Sequence, residues 1–276
     1  MPSPTRPLLT SLANPRIKAT AALRDRRERD RTGLTLVDGA RELRRAFDAG
    51  VEVVEAFVCE PLMAGVDARV ALDRLGAGPA PVSTTSEAVF AKLAFGERAE
   101  GLVAVVRIPD TSLAHLSLPV DALVVVIEGV EKPGNVGAVM RTADGAGVDA
   151  VVAASPLTDL FNPNAIRASA GTVFTVPLGA GSTDEVLGWL RAARLRVVTG
   201  RVDAERSYTD ADLRGPLAIV VGAEADGLTD AWRDGTEAVR LPMLGVADSL
   251  NVSISAAILS YEARRQRGLP TGSKGG

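Results

Sequence analysis

The sequence predicts an α/β protein of two domains, each a sheet covered by helices. Three observations carry this. Strand-length apolar runs, of which residues 122–127 are the cleanest, alternate with helix-length stretches along the chain. With 276 residues, 46% of them hydrophobic and 24% charged, the chain can bury the cores of one large or two ordinary domains. Residues 109–119 are polar and bounded by prolines, as expected of a linker.

The elements follow in order. Asn14-Pro15 starts a helix, with proline at its first position, that is expected to run to about Arg31. It carries Arg16, Lys18, Arg24, Arg26, Arg27, Arg29 and Arg31 over a weak apolar stripe of Ile17, Ala21 and Leu23. It reads equally as a solvated charged helix and as an arm that contacts phosphates. Residues 34–37 read as a short strand, 39–49 as a helix, 51–59 as a strand and 101–108 as another strand. These features divide the first half into a basic helical extension (1–30), a smaller N-terminal α/β domain (31–108) and the linker (109–120).

The second domain, 121–268, opens on Leu123-Val124-Val125-Val126-Ile127, a continuous run suited to a parallel strand buried on both faces. A helix is expected at about 136–146, a strand at 150–154, a helix at 183–193, and strands at 196–199 and 217–221. A last helix, 251–266, brings Arg264, Arg265 and Arg267 to its C-terminal end, where the helix dipole favours cations. Residues 269–276 are expected to be a disordered tail. Ligands of such sheets gather at the carboxyl ends of strands, which directs attention to the loops after Ile127, Thr199, Val221 and Arg240.

Composition excludes much chemistry. Cys59, the single cysteine, lies in an apolar run and is expected to be a buried structural thiol. One cysteine and one histidine, His115, do not build a zinc site, so no metal is expected. No nucleophile motif accompanies His115. Residues 1–16 contain prolines and lack the apolar core of a signal peptide, and no run approaches the about 18 residues that span a bilayer. A cytoplasmic protein without a membrane partner is expected. The net charge is −3, yet residues 1–50 hold eleven Lys or Arg against six Asp or Glu. That asymmetry suggests a basic N-terminal element that touches an anionic partner.

Four segments stand out. After the strand ending at Ile127, Gly129, Gly134 and Gly137 permit close backbone approach, and Asn135 is well placed as a helix N-cap. Arg141 follows in an otherwise apolar run, where a guanidinium needs a partner. Gly145-Ala146-Gly147-Val148-Asp149-Ala150 spells a dinucleotide fingerprint, but it follows a helix and precedes a strand, the reverse of what that mechanism needs. It reads as a helix C-cap glycine pair. The loops at 221–228 and 241–255 are polar connections beside buried strands, with Ser249 or Asn251 available to cap the last helix.

The order and spacing of these segments resemble the three signature motifs of the SpoU/TrmH class of RNA ribose 2′-O-methyltransferases, in the SPOUT superfamily. The first motif runs from Glu131 to Arg141 and includes Asn135. The second is Gly222-x-Glu224-x-x-Gly227-Leu228. The third is Leu241-Pro242-Met243 followed by Ser249-Leu250-Asn251-Val252-Ser253. Arg167-Ala168-Ser169-Ala170-Gly171 with Pro177 is similar to the segment the class carries between its first two motifs. The resemblance covers about residues 123–267. More loosely, Val37-Asp38-Gly39-x-Arg41-Glu42 resembles part of the small RNA-binding domain that many members carry.

The resemblance implies a C-terminal trefoil-knotted parallel-sheet SPOUT domain and a smaller N-terminal α/β RNA-binding domain. It implies a homodimer with its active site at the subunit interface, S-adenosylmethionine as cofactor, and RNA, ribosomal before transfer RNA, as partner. Arg141 would be catalytic, with Asn135, Glu224, Ser249 and Asn251 shaping the site. Thr199, Gly200, Gly222, Leu241, Met243, Ser249 and Leu250 would contact the cofactor. Arg16, Lys18, Arg24, Arg26, Arg27 and Arg41 would contact RNA. A guanidinium stays charged, so Arg141 would stabilise the developing 2′-alkoxide while a phosphate or water takes the proton. The expected reaction is 2′-O-methylation of 23S ribosomal RNA, with antibiotic resistance as a conjectured role. The competing readings are a transfer RNA 2′-O-methyltransferase, a non-catalytic RNA-binding module of ribosome assembly, and a nucleotide-dependent small-molecule enzyme.

Overall fold

The computed structural model describes residues 6–94, 100–223 and 227–268. The chain divides into two compact units, one of Met1–Asp110 with Phe161–Thr175, the other of Thr111–Leu160 with Val176–Gly276.

The first unit runs β1 (Leu8–Leu9), α1 (Pro15–Ala22), α2 (Arg26–Thr32), β2 (Leu34–Asp38), α3 (Ala40–Asp48), β3 (Val53–Val58), α4 (Gly65–Ala77), β4 (Val82–Thr85), α5 (Glu87–Leu93) and β5 (Leu102–Arg107). The single basic helix expected over 14–31 is two helices. Asp25 caps the second, accepting from the Arg27 amide at 2.9 Å in an extended backbone conformation. Inside a run of charges, that cap cannot be told from another solvated aspartate. The break frees the carbonyls of Leu23 and Arg24, and Nη1 of the buried Arg29 donates to both.

The sheet order is β1-β4-β3-β5-β2. Pairs β1/β4 and β4/β3 are parallel, whereas β5 runs antiparallel to β3 and β2. The sheet of this unit is therefore mixed. Apolar runs report burial on both faces, and strand direction leaves no mark on them. Ile17, Leu36, Phe57, Phe90 and Val103 form the core. Cys59 is buried among them, and desolvation pushes its thiol pKa up.

The second unit contains β6 (Leu123–Glu128), α6 (Pro133–Ala146) and β7 (Ala150–Ala154). The chain then gives α7 (Pro163–Ala168) to the first unit. It continues with β8 (Leu178–Gly181), α8 (Thr183–Ala192), β9 (Arg196–Gly200), β10 (Leu217–Val221), β11 (Glu237–Val239) and α9 (Val252–Arg267). All six strands are parallel, in the order β11-β9-β10-β6-β7-β8. Val124, Val126, Val152, Val220 and Trp232 fill one core cluster. Residues 111–118, expected as linker, lie along β8: the Ala180 amide donates to Thr111 O at 2.8 Å, and Leu113 and Leu116 pack beside Gly179.

Two helix ends are built from charge and glycine. Gly147 ends α6 in the left-handed conformation, as expected, while Gly145 lies within the helix. Of the three arginines at the end of α9, Arg265 pairs with Glu262 in the same helix and the other two bind carbonyls of neighbouring segments. Arg264 donates to Ala146 O (2.8 Å), and the nearly buried Arg267 donates to Asp121 O (2.8 Å), Leu213 O (3.1 Å) and Gly215 O. The tail 269–276 lies outside the described residues. Among those described, no helix is long and apolar enough to cross a membrane.

Phe161–Thr175 packs within the first unit. Thr35 Oγ1 donates to Phe161 O (2.7 Å), Arg45 Nη1 to Ala170 O (2.6 Å), and Arg167 lies 3.6 Å from the Asp38 carboxylate. Gly171 sits against Glu42 so closely that a Cβ there would lie 2.9 Å from the Glu42 Cα.

Candidate functional site

The carboxyl ends of β9, β10 and β11 open on one cavity of about 560 Å³ in the second unit. Its floor is the strand ends at Gly200 and Val221, and its walls are Gly222–Ala223, Gly227–Leu228 and the segment from Leu241 to Leu250. Gly222 is required by sterics. A Cβ there would run into the Gly227 carbonyl and lie 2.5 Å from the Leu228 amide nitrogen, because the loop doubles back across it. The turn is held by the Gly227 amide on Ala223 O (3.0 Å), with Gly227 at φ +67°.

Beside this loop, the buried Glu128 at the end of β6 accepts from Thr183 Oγ1 (2.8 Å), Thr229 N (2.8 Å) and Thr229 Oγ1 (2.9 Å). Three donors satisfy a carboxylate in an apolar setting. They also tie the end of the second motif to the central strand.

The cavity collects most of the residues expected to hold a cofactor. Gly200, Gly222, Leu241, Met243, Ser249 and Leu250 all line it. Thr199 does not. It is buried within β9 and its hydroxyl donates to Glu237 O at 3.4 Å. Glu224 lies outside the described residues.

Asn135 is not the helix cap. Lys132 holds that position, Pro133 begins α6, and Asn135 sits in its first turn. Proline fixes the first helical φ and so sets the start three residues earlier than a cap at Asn135 would. Asn251 does cap α9, accepting from Ser253 N (2.8 Å) and Ser253 Oγ (2.6 Å), and it donates to Asn135 Oδ1 at 3.2 Å.

Arg141 was expected to need a partner. It is exposed on α6, outside the cavity lining, and no described residue pairs with it. Its apolar neighbours in sequence turn to the other face of the helix, where Val136, Val139, Met140 and Ala143 are buried.

The basic N-terminal residues belong to the first unit and differ in employment. Arg16 is held by Glu55 at 2.8 Å and lies over the Phe57 ring. Arg24 donates to Ala94 O, Arg26 pairs with Asp30 at 3.6 Å, and Arg41 pairs with Glu42 at 3.0 Å. Lys18 and Arg27 are exposed.

Sequence reasoning missed the charged side chains of the cavity. Arg201, Asp203 and Asp248 line it, with the hydroxyl of Ser255 and the apolar Leu259. Arg201 and Asp203 form a bidentate pair, Nε to Oδ1 at 2.9 Å and Nη2 to Oδ2 at 3.2 Å. The Arg201 guanidinium holds the Asp203 carboxyl below the usual range. Their signal was position: both follow directly on β9, at the strand end where ligands gather. Among the described residues, no group of three or more His, Cys, Asp and Glu is placed to hold a metal.

The chain can now be set beside known proteins. The SpoU rRNA Methylase family profile matches residues 122–261, and the MRM3-like substrate binding domain profile matches residues 14–104. The 23S rRNA (guanosine(2553)-2′-O)-methyltransferase of Bacillus subtilis (strain 168) is 28% identical over 93% of this chain and 98% of its own. The 23S rRNA (uridine(2479)-2′-O)-methyltransferase of Streptomyces viridochromogenes is 34% identical over 62% of this chain and 63% of its own. An RNA 2′-O ribose methyltransferase crystal structure is 44% identical, with a TM-score of 0.83 over 94% of this chain and 98% of that one. The AdoMet-bound rRNA methyltransferase of Sinorhizobium meliloti has a TM-score of 0.85 at 28% identity, over 94% of this chain and 97% of that one. Both domains are thus matched in order, the larger one over the motifs that build the cavity, and the chain belongs to the SpoU rRNA methylase family.

Proposed function

We propose that this protein methylates a ribose 2′-hydroxyl of RNA, with S-adenosylmethionine as donor and 23S ribosomal RNA as substrate. One observation carries the reading. Six cofactor-site residues from three separate segments converge on one cavity in the part of the chain that the family profile covers. The cavity suits an adenosylated amino acid. Leu228, Leu241, Met243 and Leu250 offer apolar surface to a base, and Arg201, Asp203 and Asp248 offer charge to a zwitterion. Family membership and relatives named for 23S ribosomal RNA favour ribosomal over transfer RNA and over a non-catalytic module.

When bound, S-adenosylmethionine supplies a methyl group on a sulfonium leaving group. The work left to the protein is to hold the 2′-oxygen in line and to stabilise its negative charge. Arg141 takes that second task in our reading, because its guanidinium is exposed, permanently charged and uncommitted to any described residue. A phosphate or water accepts the proton. Asn135 and Asn251 position the first and third motifs against each other. Arg141 lies outside the lining of the cavity in its own chain, which supports a homodimer in which one protomer presents it to its partner's site. The trefoil knot and a cytoplasmic location are proposed on family membership.

The test is methyl transfer to unmodified 23S ribosomal RNA and to transfer RNA in parallel, with nuclease mapping. A single labelled position in 23S RNA is the expected result. Label confined to transfer RNA would move the substrate. No label on either, and none on assembled subunits, would favour the binding module. A resistance role predicts that expression in a sensitive host protects it from a ribosome-directed antibiotic.

A further inference from the structure

We infer that Arg201 recognises the carboxylate of the methyl donor's amino acid half. This role lies outside the three motifs, and it rests on the reading of the cavity as the S-adenosylmethionine site.

The starting point is an incomplete hydrogen-bond set. Arg201 follows the last residue of β9 and lines the cavity. One edge of its guanidinium, Nε with Nη2, is spent on Asp203. Its side chain is 13% exposed, and Nη1 is buried with no acceptor among the described residues. A buried donor left unmade costs about 1–3 kcal/mol, and more for a charged group. Arg44 Nε also lacks an acceptor among the described residues, but that side chain is 42% exposed and lies outside the cavity, whereas two more deeply buried guanidinium groups are satisfied. Nη1 of Arg29 meets two carbonyls, and Arg267 meets carbonyls of three segments.

The unused edge, Nη1 with the second N–H of Nη2, is a planar fork that fits the two oxygens of a carboxylate. Asp203 fixes the plane of that fork before any ligand arrives, and Arg233 supports Asp203 from 3.8 Å while bound to Asp230 at 2.6 Å. Arg201 is the cationic side chain of the lining, and the carboxylate is the anionic group of the donor. The donor's sulfonium and ammonium would be repelled from Arg201 and are better placed toward Asp248 at the opposite charge. The neutral adenine nitrogens are weaker acceptors than a carboxylate.

The experiment is calorimetric titration of the full chain with S-adenosylmethionine and with decarboxylated S-adenosylmethionine, which differ in the carboxylate. Wild type is expected to bind the decarboxylated ligand at least ten-fold more weakly. Arg201→Gln is expected to weaken the complete ligand by a similar factor and to bring the two affinities within two-fold of each other. Arg201→Lys, which keeps the charge and the Asp203 pair but loses the fork, should fall between them. Thermal melts identify any variant that fails to fold. A wild type that binds both ligands equally overturns the inference and leaves the cavity assignment standing. So does an Arg201→Gln variant that weakens both ligands alike and keeps their ratio, since that is the mark of a structural effect. A wild type that binds neither ligand overturns the cavity assignment and this inference with it.

Discussion

Nδ2 of Asn251 donates to Oδ1 of Asn135 across 3.2 Å, joining the residue that caps α9 to the first turn of α6. The cap decides which way the amide faces. Oδ1 of Asn251 is already taken by Ser253 N and Ser253 Oγ, so only its NH₂ is left for Asn135. The two helices pack on each other along their length, and this bond fixes their register at the end nearest the third motif.

Two substitutions separate the roles of Asn251. Asn251→Ala removes cap and link together and is expected to cost about 1–2 kcal/mol in denaturant unfolding. Asn251→Asp keeps an acceptor for the cap and loses the donor to Asn135. It should unfold close to wild type yet transfer methyl groups more slowly. Equal unfolding losses in both variants would show that the link, not the cap, carries the stability.

Arg141→Ala is expected to lower methyl transfer by at least about 100-fold, the size of a lost oxyanion donor. Cofactor affinity and melting temperature should stay near wild type, because the side chain is exposed and touches neither the cavity nor the core. Full transfer activity in this variant would remove Arg141 from the chemistry.

Gly222→Ala adds a Cβ where the returning Gly227 backbone already lies. The loop must shift, and overpacking of this kind costs about 1–3 kcal/mol. Calorimetry should find cofactor binding weakened by more than ten-fold. Gly188→Ala is the control, since a Cβ there meets nothing within 4 Å. Unchanged affinity in Gly222→Ala would place the ligand elsewhere.

The basic N-terminal helices should divide by employment. Replacing Lys18 and Arg27, both exposed, is expected to flatten the salt dependence of RNA binding by about 0.7–0.9 in slope per lost phosphate contact. Replacing Arg16 should instead lower the melting temperature, because it is committed to Glu55 and Phe57. An unchanged salt slope in the first variant returns these helices to a purely solvated role.

Much of the fold and site was legible because it is local. Buried parallel strands such as β6 and β10 are continuous apolar runs, and the motif glycines mark turns that little else can make. What was hidden depends on distant partners. Asp25 breaks the first helix by a cap that looks like any surface aspartate. Strand β5 reverses direction with no trace in its composition. Phe161–Thr175 joins the first unit through bonds such as Arg45 to Ala170, which span 125 residues. Arg201 and Asp203 sat at a strand end the sequence had already singled out, but their pairing shows only once that strand is folded.

The central claim is a methyl group placed on a ribose oxygen. It is tested most directly by transferring labelled methyl from S-adenosylmethionine to 23S ribosomal RNA and hydrolysing the product in alkali. A 2′-O-methyl blocks cleavage of the adjacent phosphodiester, so the account predicts all label in one alkali-stable dinucleotide. Label recovered in a mononucleotide would mean a methylated base, and would contradict it.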